Sequence, residues 1–185
     1  MFFVRSEMAM PEVKPGAILI KTAASSVNPI DTKVRNGAVK GVVKQFPAVL
    51  HGDVSGIVEA VGEGVTGFKK KGDAVYACTS NQFDSPGGAL ADYVLAEASS
   101  AALKPSKLSF AEAAVVPLVT ITAWQALIDR AKLQKDQNVL IHGAAGGVGH
   151  AAVQIAKAVG AQVFTTVSSK EKSRHRPQPG SGPYH

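Results

Sequence analysis

The glycine-rich segment between residues 143 and 149 holds the residues best suited to ligand chemistry. It comprises Gly143, Ala144, Ala145, Gly146, Gly147, Val148 and Gly149. The last six nearly match the pattern G-x-G-x-x-G, with alanine in the first glycine position. A turn of this kind at the start of a helix offers backbone N–H groups and a partial positive charge to a pyrophosphate. We interpret it as a dinucleotide-binding turn; a glycine-rich turn without a ligand is the alternative.

The elements around this turn support the interpretation. Asn138–His142 is a short apolar run, typical of a buried parallel strand. Gly149–Val159 carries apolar residues on one helical face, and Gly160 suits its C-terminal cap. Gln162–Val167 predicts a second strand. Strand, glycine turn, helix and strand together predict one βαβ unit.

The residues after the second strand bear on which nicotinamide cofactor binds. In NAD-binding folds an acidic residue about 20 positions past the glycines holds the adenosine ribose. Counting on from Gly149 reaches Ser168, and no carboxylate stands there. Ser168, Ser169 and Lys172 instead suit a ribose phosphate, through charge-assisted hydrogen bonds. The segment therefore predicts NADP(H); a polar loop without a ligand is the alternative.

Strand signals dominate the chain before residue 109. Apolar or alternating runs bounded by turn residues occur at Ala17–Lys21, Val54–Val65, Ala74–Cys78 and Ala89–Ala96. Glycines within such runs mark bulges or close backbone approach, which predicts a strongly curved sheet or partial barrel. A capping box at Ser109–Glu112 then starts the helical part, and a longer helix is expected over roughly 119–131.

Composition limits the class of protein. Of the 185 residues, 45% are hydrophobic and 18% charged, which favours a packed core. The sequence has no apolar run long enough for a transmembrane helix, and residues 1–16 lack a signal-peptide core. The single cysteine, Cys78, excludes an internal disulfide. We expect a cytoplasmic protein without membrane association. The net charge of +6 comes without a basic, aromatic-rich stripe, so nucleic-acid binding is not expected.

Six ordered segments carry a family resemblance. They are Ser26–Lys33, Pro47–Gly62, Gly72–Tyr76, Gly87–Tyr93, Pro117–Trp124 and His142–Val163. Together they resemble the medium-chain dehydrogenase/reductase superfamily, in its zinc-free quinone oxidoreductase-like branch. The resemblance implies an α/β plus β fold, in which a GroES-like curved β domain precedes an incomplete Rossmann-type doubly wound parallel sheet. We place the β domain at 1–108, the start of the nucleotide domain at 109–172, and a disordered tail at 173–185.

The resemblance also implies a reaction and its residues. The reaction is hydride transfer between NADPH and a small quinone, enone or carbonyl compound. Asn28 would donate a hydrogen bond to the substrate carbonyl, and Thr122 would contact the nicotinamide ribose or ring. An ordinary turn residue and an ordinary helix residue are the alternatives. The positions matching the zinc ligands of related alcohol dehydrogenases hold Asn28, a displaced His51 and Leu118, so no zinc is expected.

The chain leaves the family pattern after Lys172. A complete nucleotide domain of this kind has roughly six strands, whereas the sequence predicts Asn138–His142 and Gln162–Val167 alone. We therefore expect an incomplete chain with impaired activity; a complete domain could form a homodimer. Two alternatives stay open: a non-catalytic dinucleotide-binding or interaction fragment, and a zinc-type alcohol dehydrogenase-like protein.

Overall fold

The structure is a computed structural model, which describes residues 5–39, 41, 43, 48–68, 71–79 and 87–169. The chain divides into two compact units, Met1–Leu118 and Val119–His185. Lys172 and the predicted tail at 173–185 lie outside the described residues. Within the described part of the chain, none of the helices has the length and apolar character needed to cross a bilayer. The predicted domain boundary after residue 108 stays a prediction.

The first unit is built on one antiparallel sheet. Its strands are β1 (Ala17–Ser26), β2 (Asp53–Val61), β3 (Ala74–Cys78), β4 (Tyr93–Glu97) and β5 (Ala101–Leu103). They are ordered β4-β1-β2-β3-β5. Irregular pairing of β1 with β2 occurs between Leu19 and Ile20 and between Thr22 and Ala24. Such irregularities bend and twist a strand, as expected for a curved sheet.

Alternating β-branched residues form the core of this sheet. Ile18, Ile20, Val54 and Val58 are fully buried. At Gly56 an added Cβ would lie 2.1 Å from the carbonyl oxygen of Lys21, so the two backbones approach too closely for any side chain. The expectation that glycine inside a strand marks close approach is confirmed there.

Three predicted strands had the wrong bounds. The run Ala17–Lys21 continues as a strand to Ser26. The run Val54–Val65 is a strand only as far as Val61. The backbone of Gly62 passes close to Lys14, so that an added Cβ would lie 2.0 Å from the Lys14 carbonyl oxygen, and Gly64 has a left-handed backbone with φ 77°. The chain turns at these glycines. The run Ala89–Ala96 becomes a strand only at Tyr93, where it pairs with β1.

Two short helices flank the sheet. The first, α1 (Pro29–Arg35), begins after Asn28 with proline in its first turn, where the missing N–H costs no hydrogen bond. The second, α2 (Phe110–Ala114), has Ser109 at its N-cap. The Ser109 hydroxyl accepts from the Glu112 N–H at 3.2 Å, and the Glu112 carboxylate accepts from the Ser109 N–H at 2.8 Å. The predicted capping box is confirmed.

The second unit contains the βαβ unit. Its elements are α3 (Pro117–Trp124), which continues as a π-helical turn over Gln125–Arg130, then β6 (Asn138–Ile141), α4 (Gly147–Val159) and β7 (Gln162–Thr165). Strands β6 and β7 pair in parallel. Gly160 ends α4 in the left-handed conformation with φ 90°, as expected for a C-terminal glycine. The predicted fold class is confirmed in its architecture: an antiparallel five-stranded sheet precedes a βαβ unit with two parallel strands.

Candidate functional site

The glycine turn connects β6 to α4, and most of its residues are exposed. Gly143 has a left-handed backbone with φ 69°, and its carbonyl oxygen accepts from the Gly146 N–H at 2.9 Å. Ala144 has no positive φ, which explains why alanine is tolerated in the first position of the motif. Gly146 is the N-cap of α4, with φ −84°. The helix therefore begins with no side chain at its N-cap.

The three glycines after Ala145 differ in how closely their surroundings approach. An added Cβ on Gly149 would lie 2.3 Å from the carbonyl oxygen of Gly143, so this glycine is required by the packing of the turn itself. At Gly147 the nearest atom is Val119 Cγ1, at 3.0 Å. At Gly146 it is the Gly143 carbonyl oxygen at 3.4 Å, an ordinary contact. Neither packing nor backbone conformation requires glycine at residue 146.

The residues predicted to select the cofactor follow β7. Ser168 and Ser169 are both exposed on the segment after this strand. Lys172 lies outside the described residues. Thr166, which the sequence analysis did not single out, stands directly after β7, and its hydroxyl oxygen lies 3.0 Å from Nδ1 of His142. The selection of NADP(H) by Ser168, Ser169 and Lys172 stays a prediction.

Asn28, the predicted carbonyl-polarising residue, is buried in the first unit with 7% of its surface exposed. Its side-chain amide donates to Asp53 Oδ2 at 2.9 Å and to Ser26 Oγ at 3.5 Å. The second distance is at the outer limit of a hydrogen bond. If Asn28 serves a substrate, the amide hydrogen directed at Ser26 is therefore the one that it would donate.

Asp53 is the polar centre of this unit. The residue is fully buried. Besides Asn28, its carboxylate accepts from Ser26 Oγ at 3.1 Å and from the backbone N–H of Leu118 at 2.9 Å. Burial raises the pKa of Asp53 above its usual value, and these donors oppose the rise. The carboxylate thus fixes residues that are far apart in sequence, at the cost of its own desolvation.

Cys78, the single cysteine, lies beside this carboxylate at the end of β3. Burial, together with the negative charge of Asp53, raises the pKa of the Cys78 thiol to about 11. A thiol with that pKa is almost fully protonated at neutral pH, so it is a weak nucleophile. The cluster around Asp53 is therefore suited to positioning polar groups rather than to attack by sulfur.

Asp31 anchors the loop that carries Asn28. Its carboxylate accepts from the Asn28 N–H at 2.7 Å and from the His51 N–H at 3.0 Å. His51 has φ 71°, an uncommon conformation for a residue with a side chain. Its ring nitrogen Nδ1 lies 2.9 Å from Ser25 Oγ. The segments around residues 28 and 51 are thus held to one buried carboxylate.

Thr122, the second predicted catalytic residue, is exposed on α3. It belongs to the second unit, whereas Asn28 belongs to the first. The structure describes each in its own unit, and a common role in catalysis stays a prediction.

The comparisons with known proteins agree with these elements. Residues 14–106 match the family described as the alcohol dehydrogenase GroES-like domain. Quinone oxidoreductase of Sus scrofa is 41% identical over 170 residues, which cover 91% of this chain and 49% of that protein. The chain belongs to the medium-chain dehydrogenase/reductase superfamily, in its quinone oxidoreductase-like branch.

Solved members of the superfamily have the same fold over the shared part. An alcohol dehydrogenase superfamily protein from Novosphingobium aromaticivorans is 43% identical, with a TM-score of 0.85, over 91% of this chain and 51% of that one. A mycobacterial protein solved in complex with NADPH is 33% identical, with a TM-score of 0.79, over 97% of this chain and 53% of that one. The chain therefore spans about half the length of these relatives.

The positions that match the zinc ligands of related alcohol dehydrogenases, Asn28, His51 and Leu118, make other contacts in this structure. Asn28 is bound to Asp53, the His51 ring to Ser25, and Leu118 offers its backbone N–H to Asp53. Over the residues that the structure describes, no group of three or more His, Cys, Asp and Glu side chains is arranged to hold a metal ion.

Sequence reasoning missed two residues with central positions. The sequence patterns gave no role to Asp53 or to Thr166. Both act through contacts with residues distant in sequence, which no local pattern shows. The one available signal for Asp53 was an acidic residue at the start of an otherwise apolar strand, where a buried charge needs partners.

Proposed function

We propose that this chain binds NADPH through the glycine turn and forms part of a reductase of quinones, enones or similar small carbonyl compounds. One observation carries the proposal: Gly146 stands exposed at the start of α4, although its nearest neighbour would allow a side chain. A glycine that packing does not require is explained by a ligand. A pyrophosphate approaching the helix N-terminus needs this position free of Cβ.

The comparisons support the choice of chemistry. A quinone oxidoreductase and a protein solved with NADPH both share this part of the fold with the chain. When bound, NADPH supplies a hydride, which together with a proton reduces a quinone to a hydroquinone and leaves NADP⁺. The residues of this chain bind and orient: the turn holds the pyrophosphate, and Asn28 and Thr122 contact the substrate carbonyl and the nicotinamide side.

We assign the preference for NADPH over NADH to Ser168, Ser169 and Lys172. Hydroxyl groups and an ammonium group bind a ribose phosphate, and no carboxylate at residue 168 repels it. The corresponding domains are residues 1–108 for the β domain and 109–172 for the start of the nucleotide domain. In this proposal no step uses zinc.

A second candidate function follows from the length of the match. The chain covers 49% of the pig enzyme, so it could bind the dinucleotide without completing a catalytic site. This candidate shares the glycine turn with the first and differs in turnover alone.

Two glycine variants test binding. Gly146→Ala keeps an allowed backbone and ordinary contacts but is a poorer N-cap for α4, so its melting temperature should fall only slightly, while its affinity for NADPH falls roughly tenfold or more. Gly149→Ala is the comparator for misfolding, because its Cβ meets the Gly143 carbonyl oxygen and should lower the melting temperature. Calorimetric titration with NADPH and NADH gives both affinities and the preference.

The outcomes separate the candidates. Oxidation of NADPH by a simple quinone above background supports the reductase, and binding without turnover supports the binding fragment. Equal affinity of the wild type and Gly146→Ala for NADPH contradicts the assignment of the turn. Tighter binding of NADH than of NADPH contradicts the role of Ser168, Ser169 and Lys172.

A further inference from the structure

Thr166 is in hydrogen-bond contact with each of the four residues that join β6 to the glycine turn, residues 141–144. Its backbone N–H donates to the Ile141 carbonyl oxygen at 3.2 Å, and its carbonyl oxygen accepts from the Ala144 N–H at 3.1 Å. Its hydroxyl oxygen accepts from the Gly143 N–H at 3.3 Å and lies 3.0 Å from Nδ1 of His142. One residue thus contacts four consecutive residues, two of them through its side chain.

The hydroxyl group can satisfy both side-chain contacts at once. A hydroxyl has one hydrogen to donate and two lone pairs to accept with. The Gly143 N–H can only donate, so the Thr166 oxygen accepts there. Its own hydrogen is then available for Nδ1 of His142, which accepts it when the imidazole carries its proton on Nε2. In the other tautomer Nδ1 carries the proton and donates to the second lone pair of the Thr166 oxygen, so both contacts are satisfied in either form.

We propose that Thr166 is a positioning residue for the glycine turn: its hydroxyl holds Gly143 and His142 so that the turn is already shaped for a pyrophosphate. The turn is exposed, and its first residue has a left-handed backbone that few contacts would otherwise fix. A binding loop held in its bound conformation loses less entropy on binding. The proposal rests on the proposed function, because it concerns how the same turn receives NADPH.

Neighbouring threonines provide a matched control. Thr165 is 6% exposed, and its Oγ1 has no hydrogen-bond partner within the described part of the chain. Thr165→Val therefore removes a hydroxyl that holds nothing, whereas Thr166→Val removes one that holds two groups. Thr166→Ser keeps the hydroxyl and should restore the behaviour of the wild type.

Three measurements test the proposal. Thr166→Val should weaken NADPH binding about five- to tenfold in calorimetry, the equivalent of one lost hydrogen bond, while Thr165→Val and Thr166→Ser stay within about twofold of the wild type. Exchange of the Gly143 amide hydrogen, followed by NMR, should accelerate by a similar factor in Thr166→Val alone. The ring nitrogen shifts of His142 should change in Thr166→Val, because Nδ1 loses its hydrogen-bond partner in either tautomer.

The results also separate this proposal from the proposed function. A wild-type chain that does not bind NADPH contradicts the function, while the Gly143 exchange rate and the His142 shifts still decide the role of Thr166. If Thr166→Val matches Thr165→Val in exchange and in ring nitrogen shifts, Thr166 does not position the turn. If the Gly143 exchange rate and the His142 shifts change in Thr166→Val while the NADPH affinity does not, then fixing the turn through Thr166 does not assist binding, and the proposal fails.

Discussion

Replacing Asp53 with alanine should destabilise the first unit more than any other single loss of a polar side chain in that cluster. Asp53 accepts from Ser26, from the Asn28 amide and from the Leu118 N–H. Asp53→Ala leaves all three donors without this acceptor. The Asn28 amide already donates to Ser26 Oγ at 3.5 Å in the wild type, so that contact does not replace the lost one.

The size of the effect follows from the number of donors left without a partner. Each buried donor without an acceptor costs about 1–3 kcal/mol, or about 3–9 kcal/mol for the three. Relief of the desolvated carboxylate reduces this sum. We therefore expect a loss of about 2–4 kcal/mol at pH 7, a large part of the ~5–15 kcal/mol that stabilises a typical domain.

The pH dependence of the unfolding free energy provides a second, independent test of the role of Asp53. Because the folded-state pKa of Asp53 is raised above 3.8, its contribution to stability is fully present below that pH and declines as the pH rises through the folded value. Asp53→Ala removes this titration. The difference in unfolding free energy between the wild type and the variant should therefore shrink as the pH is raised from about 4 to 7.

Urea unfolding followed by circular dichroism measures both effects. Asp92→Ala is the control, because Asp92 is exposed and its loss should change stability by less than about 0.5 kcal/mol. The reasoning is refuted if Asp53→Ala differs from Asp92→Ala by less than about 1 kcal/mol, or if the gap between wild type and Asp53→Ala widens with rising pH.

Two further predictions concern single groups. Burial raises the pKa of the Cys78 thiol from 9.0 to about 11, which lowers the fraction of reactive thiolate at pH 8. Cys78 should therefore react with iodoacetamide at pH 8 about 100-fold more slowly in the folded chain than in urea. Equal rates would contradict the burial of the thiol beside Asp53. Ser109→Ala should cost about 1 kcal/mol as a lost N-cap. The Ser109 N–H and, to a smaller extent, its hydroxyl lower the pKa of Glu112, so the wild type should lose stability as the pH falls through that value; Ser109→Ala keeps the N–H, so its unfolding curves should show a smaller loss of the same sign.

The parts of the fold that local patterns control were predictable. The run Asn138–His142 predicted β6, and the run Gln162–Val167 predicted β7, each to within two residues of the structure. Gly160 predicted the end of α4 because a left-handed C-terminal residue favours glycine. In each case the signal lies in the few residues that form the element.

Elements fixed by distant contacts were not predictable in the same way. The overrun of the predicted strand to Val65 arose because nothing local shows that Gly62 passes the Lys14 carbonyl oxygen. Helix α1 begins at Pro29, directly after Asn28. An Asn-Pro pair by itself predicts a turn rather than a helix start. The start of α1 is held by Asp31, which also accepts from His51, and that contact exists only in the folded unit.

The contacts that shape the glycine turn all lie within one unit, whereas the two candidate catalytic residues lie in different units. The turn's packing contact, Gly149 against Gly143, and its bonds to Thr166 all lie between residues 141 and 166. The candidate catalytic residues Asn28 and Thr122 instead belong to separate units. In the proposed function, dinucleotide binding depends on residues of the second unit, whereas turnover also requires Asn28 of the first. For this reason affinity and turnover should respond separately to substitution, and a variant such as Gly146→Ala tests the first without assuming the second.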